Sequence, residues 1–189
     1  MAARDTNRDT GELLTGALRK IAVAAYHARE LARVLEEGSV YEIALQAHFE
    51  GLLYAGVSAE EKLASALSSL AGTDSGPDTK LLMRRLMSQT HTAELGGLLR
   101  DWLGHREMGK TLADEARTLR NLATHRFYDK RGGERGEWHY SAEDRGQYLD
   151  GLVHEFSEAY ARHVERLEPI VTAVAERWEL APEPVPVEA

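Results

Sequence analysis

Apolar residues recur at spacings of three and four along most of the chain, which is the period of an amphipathic α-helix. The first such stretch covers residues 13–35 and stops at Gly38. The second opens at Ser39, where Glu42 completes the Ser-x-x-Glu form of a capping box, and extends to about Leu70. One face of the second stretch carries small residues that predict a neighbouring helix at close approach: Ala44, Ala47, Gly51 and Ala55.

The helical period resumes after a cluster of turn-forming residues at 71–78. Residues 81–103 keep the spacing, but Thr90, Thr92 and the adjacent glycines Gly96 and Gly97 make one unbroken rod unfavourable. The sequence therefore predicts a helix with a break in this stretch.

A short helix and a long helix follow. A Thr-x-x-Asp cap at Thr111 predicts a short helix that ends near His125. Residues 126–140 contain three glycines and no helical period, and the aromatic residues at both ends of this segment predict a short hairpin or an ordered loop. A Ser-x-x-Asp cap at Ser141 begins the last helix, which Pro169 should kink because proline lacks a backbone N–H.

These elements predict an all-α fold, an up-and-down bundle of about five helices with the hairpin or ordered loop before the last helix. Residues 1–10 are predicted to be a flexible N-terminus and residues 11–180 a single helical domain. Proline occupies every second position from Pro182 to Pro186, so residues 181–189 are predicted to be a disordered tail. No apolar run approaches the roughly 18 residues of a membrane span, so no membrane partner is expected.

Composition narrows the possible chemistry. The chain has 189 residues and no cysteine, which excludes disulfides, iron–sulfur clusters, thiolate zinc sites and cysteine nucleophiles. No residue three positions before a histidine is acidic, so the Glu-x-x-His pairs of di-iron bundles are absent as well. We therefore expect neither a metal nor another cofactor. The N-terminus lacks the apolar region of a signal peptide, which predicts a cytoplasmic protein.

The net charge of -8 is unevenly distributed along the chain. Residues 76–135 carry 12 basic and 8 acidic side chains, whereas the segments on both sides are acidic. Within this part, the short helix and the following loop are the most cationic, so a phosphate-bearing ligand is expected there. The side chains that we expect to bind RNA are Arg117, Thr124, Arg126, Tyr128, Lys130 and Arg131.

The short helix also carries an Arg-x4-His spacing, from Arg120 to His125, with Asn121 after the arginine. At about 100° per residue, one arc of the helix is polar and holds Arg117, Arg120, Asn121, Thr124 and His125. The opposite arc is apolar and holds Leu112, Ala116, Leu119, Leu122 and Ala123. Arg120 and His125 lie about 7.5 Å apart along the axis, close enough to address one phosphodiester.

This constellation resembles the HEPN superfamily, whose members are helical bundles with an Arg-x4-His motif, often with a polar residue after the arginine. More weakly, the resemblance extends over about residues 10–178. It implies a metal-independent endoribonuclease whose composite site forms when a homodimer brings two motifs together, with Arg120, Asn121 and His125 as catalytic residues and RNA as substrate.

The resemblance also implies a toxin or phage-defence effector, with an antitoxin or a nucleotidyltransferase as a possible partner. Members with a nucleotidyltransferase partner often continue the motif as His-x-Tyr. Here position 127 is Phe127 and the tyrosine is Tyr128, which departs from that form.

Other interpretations of these residues stay open. About one Arg-x4-His spacing is expected by chance, and a second one, Arg100 to His105, is interpreted as accidental. The two arginines of the short helix could form a solvated face or pair with an acidic helix. The alternative function is then a non-catalytic HEPN-like module that binds a nucleotide, RNA or a partner protein. The histidines within packed helices are interpreted as core-edge residues: His27, His48, His154 and His163.

Overall fold

The computed structural model describes residues 2–37, 42–72, 79–90, 92–103, 111–128 and 155–180, and every regular element in these ranges is a helix. The helices are α1 (Ala2–Glu36), α2 (Glu42–Leu70), α3 (Thr79–Met87), α4 (Ala93–Leu103), α5 (Leu112–Tyr128), α6 (Ser157–Glu165) and α7 (Glu168–Arg177). The predicted all-α bundle is confirmed. Residues 129–154, which include most of the predicted hairpin or loop, the cap at Ser141 and His154, lie outside the described residues, as do residues 181–189.

The two long helices α1 and α2 form a hairpin. Helices α3, α5, α6 and α7 pack against the hairpin, and α4 packs on α3 and α7. The largest fully buried side chains are mostly leucines. Burial of each leucine contributes about 1.5–3 kcal/mol to the free energy of unfolding. These side chains are Leu14, Leu31, Leu52, Leu53, Leu63, Leu67, Leu82, Leu86, Leu99, Leu167 and Tyr160, together with one carboxylate, Glu60.

The predicted close approach of helices to α2 is confirmed at its small residues. A Cβ on Gly51 would lie 2.5 Å from the ring of His27 in α1. A Cβ on Gly56 would lie 2.6 Å from the hydroxyl of Tyr160 in α6. Ala47, from the same predicted face, is exposed.

Helix α1 begins at Ala2, well before the predicted start of the first helical stretch at residue 13. Thr10 is fully buried, one helical turn before Leu14. The hydroxyl of Thr15 donates a hydrogen bond of 3.0 Å to the carbonyl of Gly11. The buried face of the helix thus continues through a threonine, a residue type that hydropathy does not mark as apolar.

The predicted break in the third helical stretch is confirmed, and it lies at Thr90 and Thr92, before the two glycines. Residues 88–92 separate α3 from α4, and the Thr92 hydroxyl donates a hydrogen bond of 2.9 Å to the carbonyl of Leu86. Gly96 lies within α4, where a Cβ would come within 2.6 Å of the Met87 side chain. This glycine permits the close packing of α4 on the end of α3 and does not interrupt the helix.

The last helix is divided, and the division precedes Pro169. Helix α6 ends at Glu165, and α7 begins at Glu168 with the proline in its first turn. Proline cannot donate to the carbonyl four residues before it, which is that of Glu165. The intervening residues tighten instead, with the N–H of Leu167 bonded to the carbonyl of Val164 at 3.0 Å. The predicted kink is therefore a helix boundary.

His163 of α6 is more deeply placed than the predicted core edge, since only 4% of its surface is exposed. Its ring stacks on Trp102 at 4.3 Å between centroids, and the Trp102 indole N–H donates to the His163 carbonyl at 2.8 Å. Burial, with a smaller contribution from Arg166, lowers the pKa of His163 to about 4. The imidazole is therefore neutral in the folded protein at neutral pH.

Acidification is expected to destabilise the protein through His163. Below its ordinary pKa of 6.5 the unfolded chain takes up a proton that the folded chain does not, until the pH falls to about 4. Each pH unit in this window costs about 1.4 kcal/mol, so the loss reaches about 3 kcal/mol. His163→Phe should keep the stacking and remove this dependence in denaturant unfolding between pH 7 and pH 4.5. Equal pH slopes for the two proteins would show that His163 does not resist protonation.

Candidate functional site

The short helix α5 begins at the predicted cap. The Asp114 N–H donates to the Thr111 hydroxyl oxygen at 3.2 Å, and the Thr111 N–H donates to the Asp114 carboxylate at 3.0 Å. The helix extends to Tyr128, three residues beyond the predicted end at His125. Arg126 and Tyr128 therefore lie in the helix, and their predicted position in a loop is corrected.

Alanines anchor α5 against the rest of the bundle. Ala113 and Ala116 are 1% and 0% exposed, and Leu112 and Leu119 pack against the same core at partial burial. The predicted apolar arc is confirmed as far as Leu119. Side chains from Leu122 onward lie outside the described residues.

The predicted polar arc of α5 lies partly against α2. Arg120 is 21% exposed, and its Nη1 atom lies 2.8 Å from Oε1 of Glu61. Its Nε and Nη2 atoms donate to Oδ1 of Asn121 at 3.3 and 3.1 Å. Asn121 is exposed. The asparagine and the glutamate together hold the guanidinium in a fixed orientation at the border between α5 and α2.

A triad of Arg117, Glu60 and Tyr160 lies one helical turn before Arg120. Arg117 donates from Nη2 to Oε2 of Glu60 at 3.2 Å, and the Tyr160 hydroxyl donates to Oε1 of the same carboxylate at 3.1 Å. The Glu60 side chain is 0% exposed, and Arg117 is 26% exposed. Burial raises the pKa of Glu60 to about 7, while Arg117 and Tyr160 act in the opposite direction. Glu60 is therefore poised between its charged and neutral forms near neutral pH.

The remaining predicted site residues are only partly described. The backbone of α5 continues through Thr124, His125, Arg126 and Tyr128, whose side chains lie outside the described residues. Lys130 and Arg131 lie outside them entirely. The continuous helix places His125 five residues beyond Arg120, about 7.5 Å along the axis. The spacing on which the motif depends is thus realised in the backbone.

The second Arg-x4-His spacing has a different environment. Helix α4 ends at Leu103, before His105, and Arg100 pairs with its neighbour Asp101 at 3.1 Å. His105 itself lies outside the described residues.

Sequence reasoning missed the acidic side of this site. Glu60 and Glu61 contact the two arginines, and Tyr160 contacts Glu60, yet none of the three was among the candidate residues. A signal was present, because Glu60 falls on the apolar stripe of α2 between Ala59 and Leu63. A carboxylate at such a position is expected to have a buried partner.

The arrangement can bind and orient an anion through the exposed asparagine amide and the oriented guanidinium of Arg120. Within the described part of the chain, no group of three or more histidines or carboxylates could hold a metal ion. None of the described helices has the length and apolar character needed to cross a membrane. No family model, curated protein or solved structure matches this chain.

Proposed function

We propose that the protein is a metal-independent endoribonuclease with Arg120, Asn121 and His125 at its reaction centre. The observation that supports this proposal best is the hydrogen bond of 3.1 Å from Nη2 of Arg120 to Oδ1 of Asn121. Both residues lie on a helix that continues through His125. Asn121 is also the polar residue after the arginine that the resemblance includes.

The chemistry follows from these groups. An imidazole takes the proton of the RNA 2′-hydroxyl, the 2′-oxygen attacks the adjacent phosphorus, and the P–O5′ bond breaks. A second imidazole protonates the departing 5′-oxygen. Arg120 neutralises charge on the pentacoordinate phosphorus, and Asn121 orients the guanidinium. The products are a 2′,3′-cyclic phosphate and a 5′-hydroxyl. DNA lacks the attacking hydroxyl and is not cut.

A homodimer supplies the second imidazole, because one chain carries a single His125 on α5. The cationic side chains that we assign to RNA binding, from Arg117 to Arg131, would line the cleft between the two motifs. Sedimentation at micromolar concentration is expected to give twice the 21.0 kDa mass of the chain. The cellular role that we propose is that of a toxin or phage-defence effector, with an antitoxin or a nucleotidyltransferase as the possible partner.

A second candidate function is favoured by the ion pairs. Arg117 and Arg120 are both bound to carboxylates of α2, which is what a structural role for these arginines predicts. In that case the protein is a non-catalytic helical module that binds a nucleotide, RNA or a partner protein through α5.

Incubation with RNA and with DNA of the same sequence, each in excess EDTA, distinguishes the two functions. The ribonuclease is expected to cut the RNA at the rate seen without chelator and to leave the DNA intact. Retention of RNA without cleavage identifies the binding module. Cleavage that EDTA abolishes and manganese restores contradicts the proposed mechanism.

A further inference from the structure

A second group of polar side chains lies on the hairpin of α1 and α2. His27 of α1 and His48 of α2 face each other, with their Nδ1 atoms 3.2 Å apart. The ring centroids are 5.4 Å apart, and the ring planes are inclined by 52°. Both side chains are half-buried, so solvent reaches them while the two helices fix their positions.

Neighbouring residues hold the two rings in place. The ring of His27 lies against Gly51, where a Cβ would come within 2.6 Å of both ring nitrogens. The ring of Tyr26 packs edge-on against both imidazoles, at 5.3 Å from His27 and 6.2 Å from His48. A larger residue at position 51 would displace the His27 imidazole from this position. The pair is therefore a product of close helix packing and does not depend on flexible surface side chains.

We propose that His27 and His48 form a bidentate site for a zinc-like divalent cation that joins α1 to α2. Zinc binds histidine nitrogen at about 2.0–2.1 Å. Two nitrogens 3.2 Å apart can both reach one ion at that distance, with an N–metal–N angle of about 100°. This angle is close to the tetrahedral geometry that zinc prefers. Binding the ion replaces the hydrogen bond between the two Nδ1 atoms with two nitrogen–metal bonds, and the proton moves to Nε2 of its ring.

The donors define the class of metal. Imidazole nitrogen favours Zn²⁺, Cu²⁺ and Ni²⁺ over Mg²⁺ and Ca²⁺, which prefer oxygen. No third histidine or carboxylate joins the pair among the described residues. Water completes the coordination, and the ion is exchangeable.

Such a site stabilises the folded hairpin and takes no part in RNA cleavage. The two ligands are 21 residues apart in sequence and lie on separate helices, so the folded chain binds the ion better than the unfolded chain. The cleavage mechanism proposed above uses α5 alone. Zinc binding and chelator-resistant cleavage are therefore independent, and either can fail without the other.

Zinc titration of the full chain tests this site. Zinc at about ten times its Kd should raise the Tm of the wild-type protein by about 4 °C, with one ion bound per chain by competition with a chromophoric chelator. Magnesium should produce no shift. His27→Gln and His48→Gln should each lower zinc affinity at least about tenfold, whereas His105→Gln, a matched histidine variant, should bind as the wild type does.

Circular dichroism confirms that each variant is folded before its affinity is measured. A wild-type protein without a saturable zinc-dependent rise in Tm overturns the proposal. Equal zinc affinity of the wild type and both hairpin variants places the ion elsewhere and overturns it as well.

Discussion

Replacement of His125 or Arg120 by alanine is expected to lower the rate of RNA cleavage by about 10²–10⁴ each. His125→Ala removes the group that moves a proton, and Arg120→Ala removes the charge that stabilises the phosphorane. Asn121→Ala should cost less, because the amide orients the guanidinium but does not neutralise developing charge. The measurement is the initial rate on a labelled RNA with purified variants.

Loss of folding should not explain these effects. The Arg120–Glu61 ion pair is partly solvated, with exposures of 21% and 34%, so its removal costs about 1 kcal/mol or less. Thermal melts of each variant check this directly. His105→Ala and Arg100→Ala are the matched controls, since they disrupt the other spacing, and each should change the rate by less than about tenfold.

Glu61→Gln separates catalysis by Arg120 from a merely structural ion pair. If the pair only joins α5 to α2, Glu61→Gln and Arg120→Ala should melt and cleave alike. If Arg120 acts on the phosphate, Glu61→Gln should keep most of the activity that Arg120→Ala loses. A wild-type rate in folded His125→Ala, or a folded and inactive His105→Ala, would show that the wrong spacing was chosen.

Arg117→Met is expected to lower the free energy of unfolding by about 2–3 kcal/mol at pH 7. The substitution leaves the Glu60 carboxylate buried without its cation. Arg117 lowers the pKa of Glu60, so its removal moves that pKa further above the ordinary value of 4.5, and the folded variant holds a proton on Glu60 that the unfolded chain lacks. The stability of the variant should therefore rise as the pH falls from 7 to 5.5. Denaturant unfolding at both pH values measures it.

Glu60→Gln is the matched control for the buried triad. The neutral amide can still accept from Tyr160, and its effect should stay within about 1 kcal/mol. Combining Glu60→Gln with Arg117→Met should recover most of the stability that Arg117→Met loses, since no buried charge remains. If the double variant is as unstable as the sum of the single losses, Glu60 and Arg117 do not interact as described.

Much of the fold followed from local sequence signals. The capping residues Thr111 and Asp114 bond reciprocally as their spacing predicts, and α2 ends at Leu70 where turn-forming residues begin. The boundaries that differed depend on tertiary contacts. Gly96 lies inside α4 because Met87 packs against it, which no local pattern records.

Only the part of the candidate site that lies on α5 could be predicted from the sequence. Helical spacing placed Arg117, Arg120 and Asn121 on one polar arc. In the structure Arg120 bonds to Asn121, while Arg117 bonds to Glu60. That spacing cannot say which helix faces the arc. The carboxylates of Glu60 and Glu61 come from a helix more than fifty residues earlier, and only packing brings them to the arginines.

The end groups of the cleaved RNA test whether the 2′-hydroxyl is the attacking group. The wild-type protein, in excess EDTA, is incubated with a 5′-labelled RNA, and the products are treated with phosphatase and with polynucleotide kinase. We expect fragments with a 2′,3′-cyclic phosphate, which resists phosphatase, and a 5′-hydroxyl, which the kinase phosphorylates directly. Fragments with a 3′-hydroxyl and a 5′-phosphate, or RNA left uncut, would contradict this expectation.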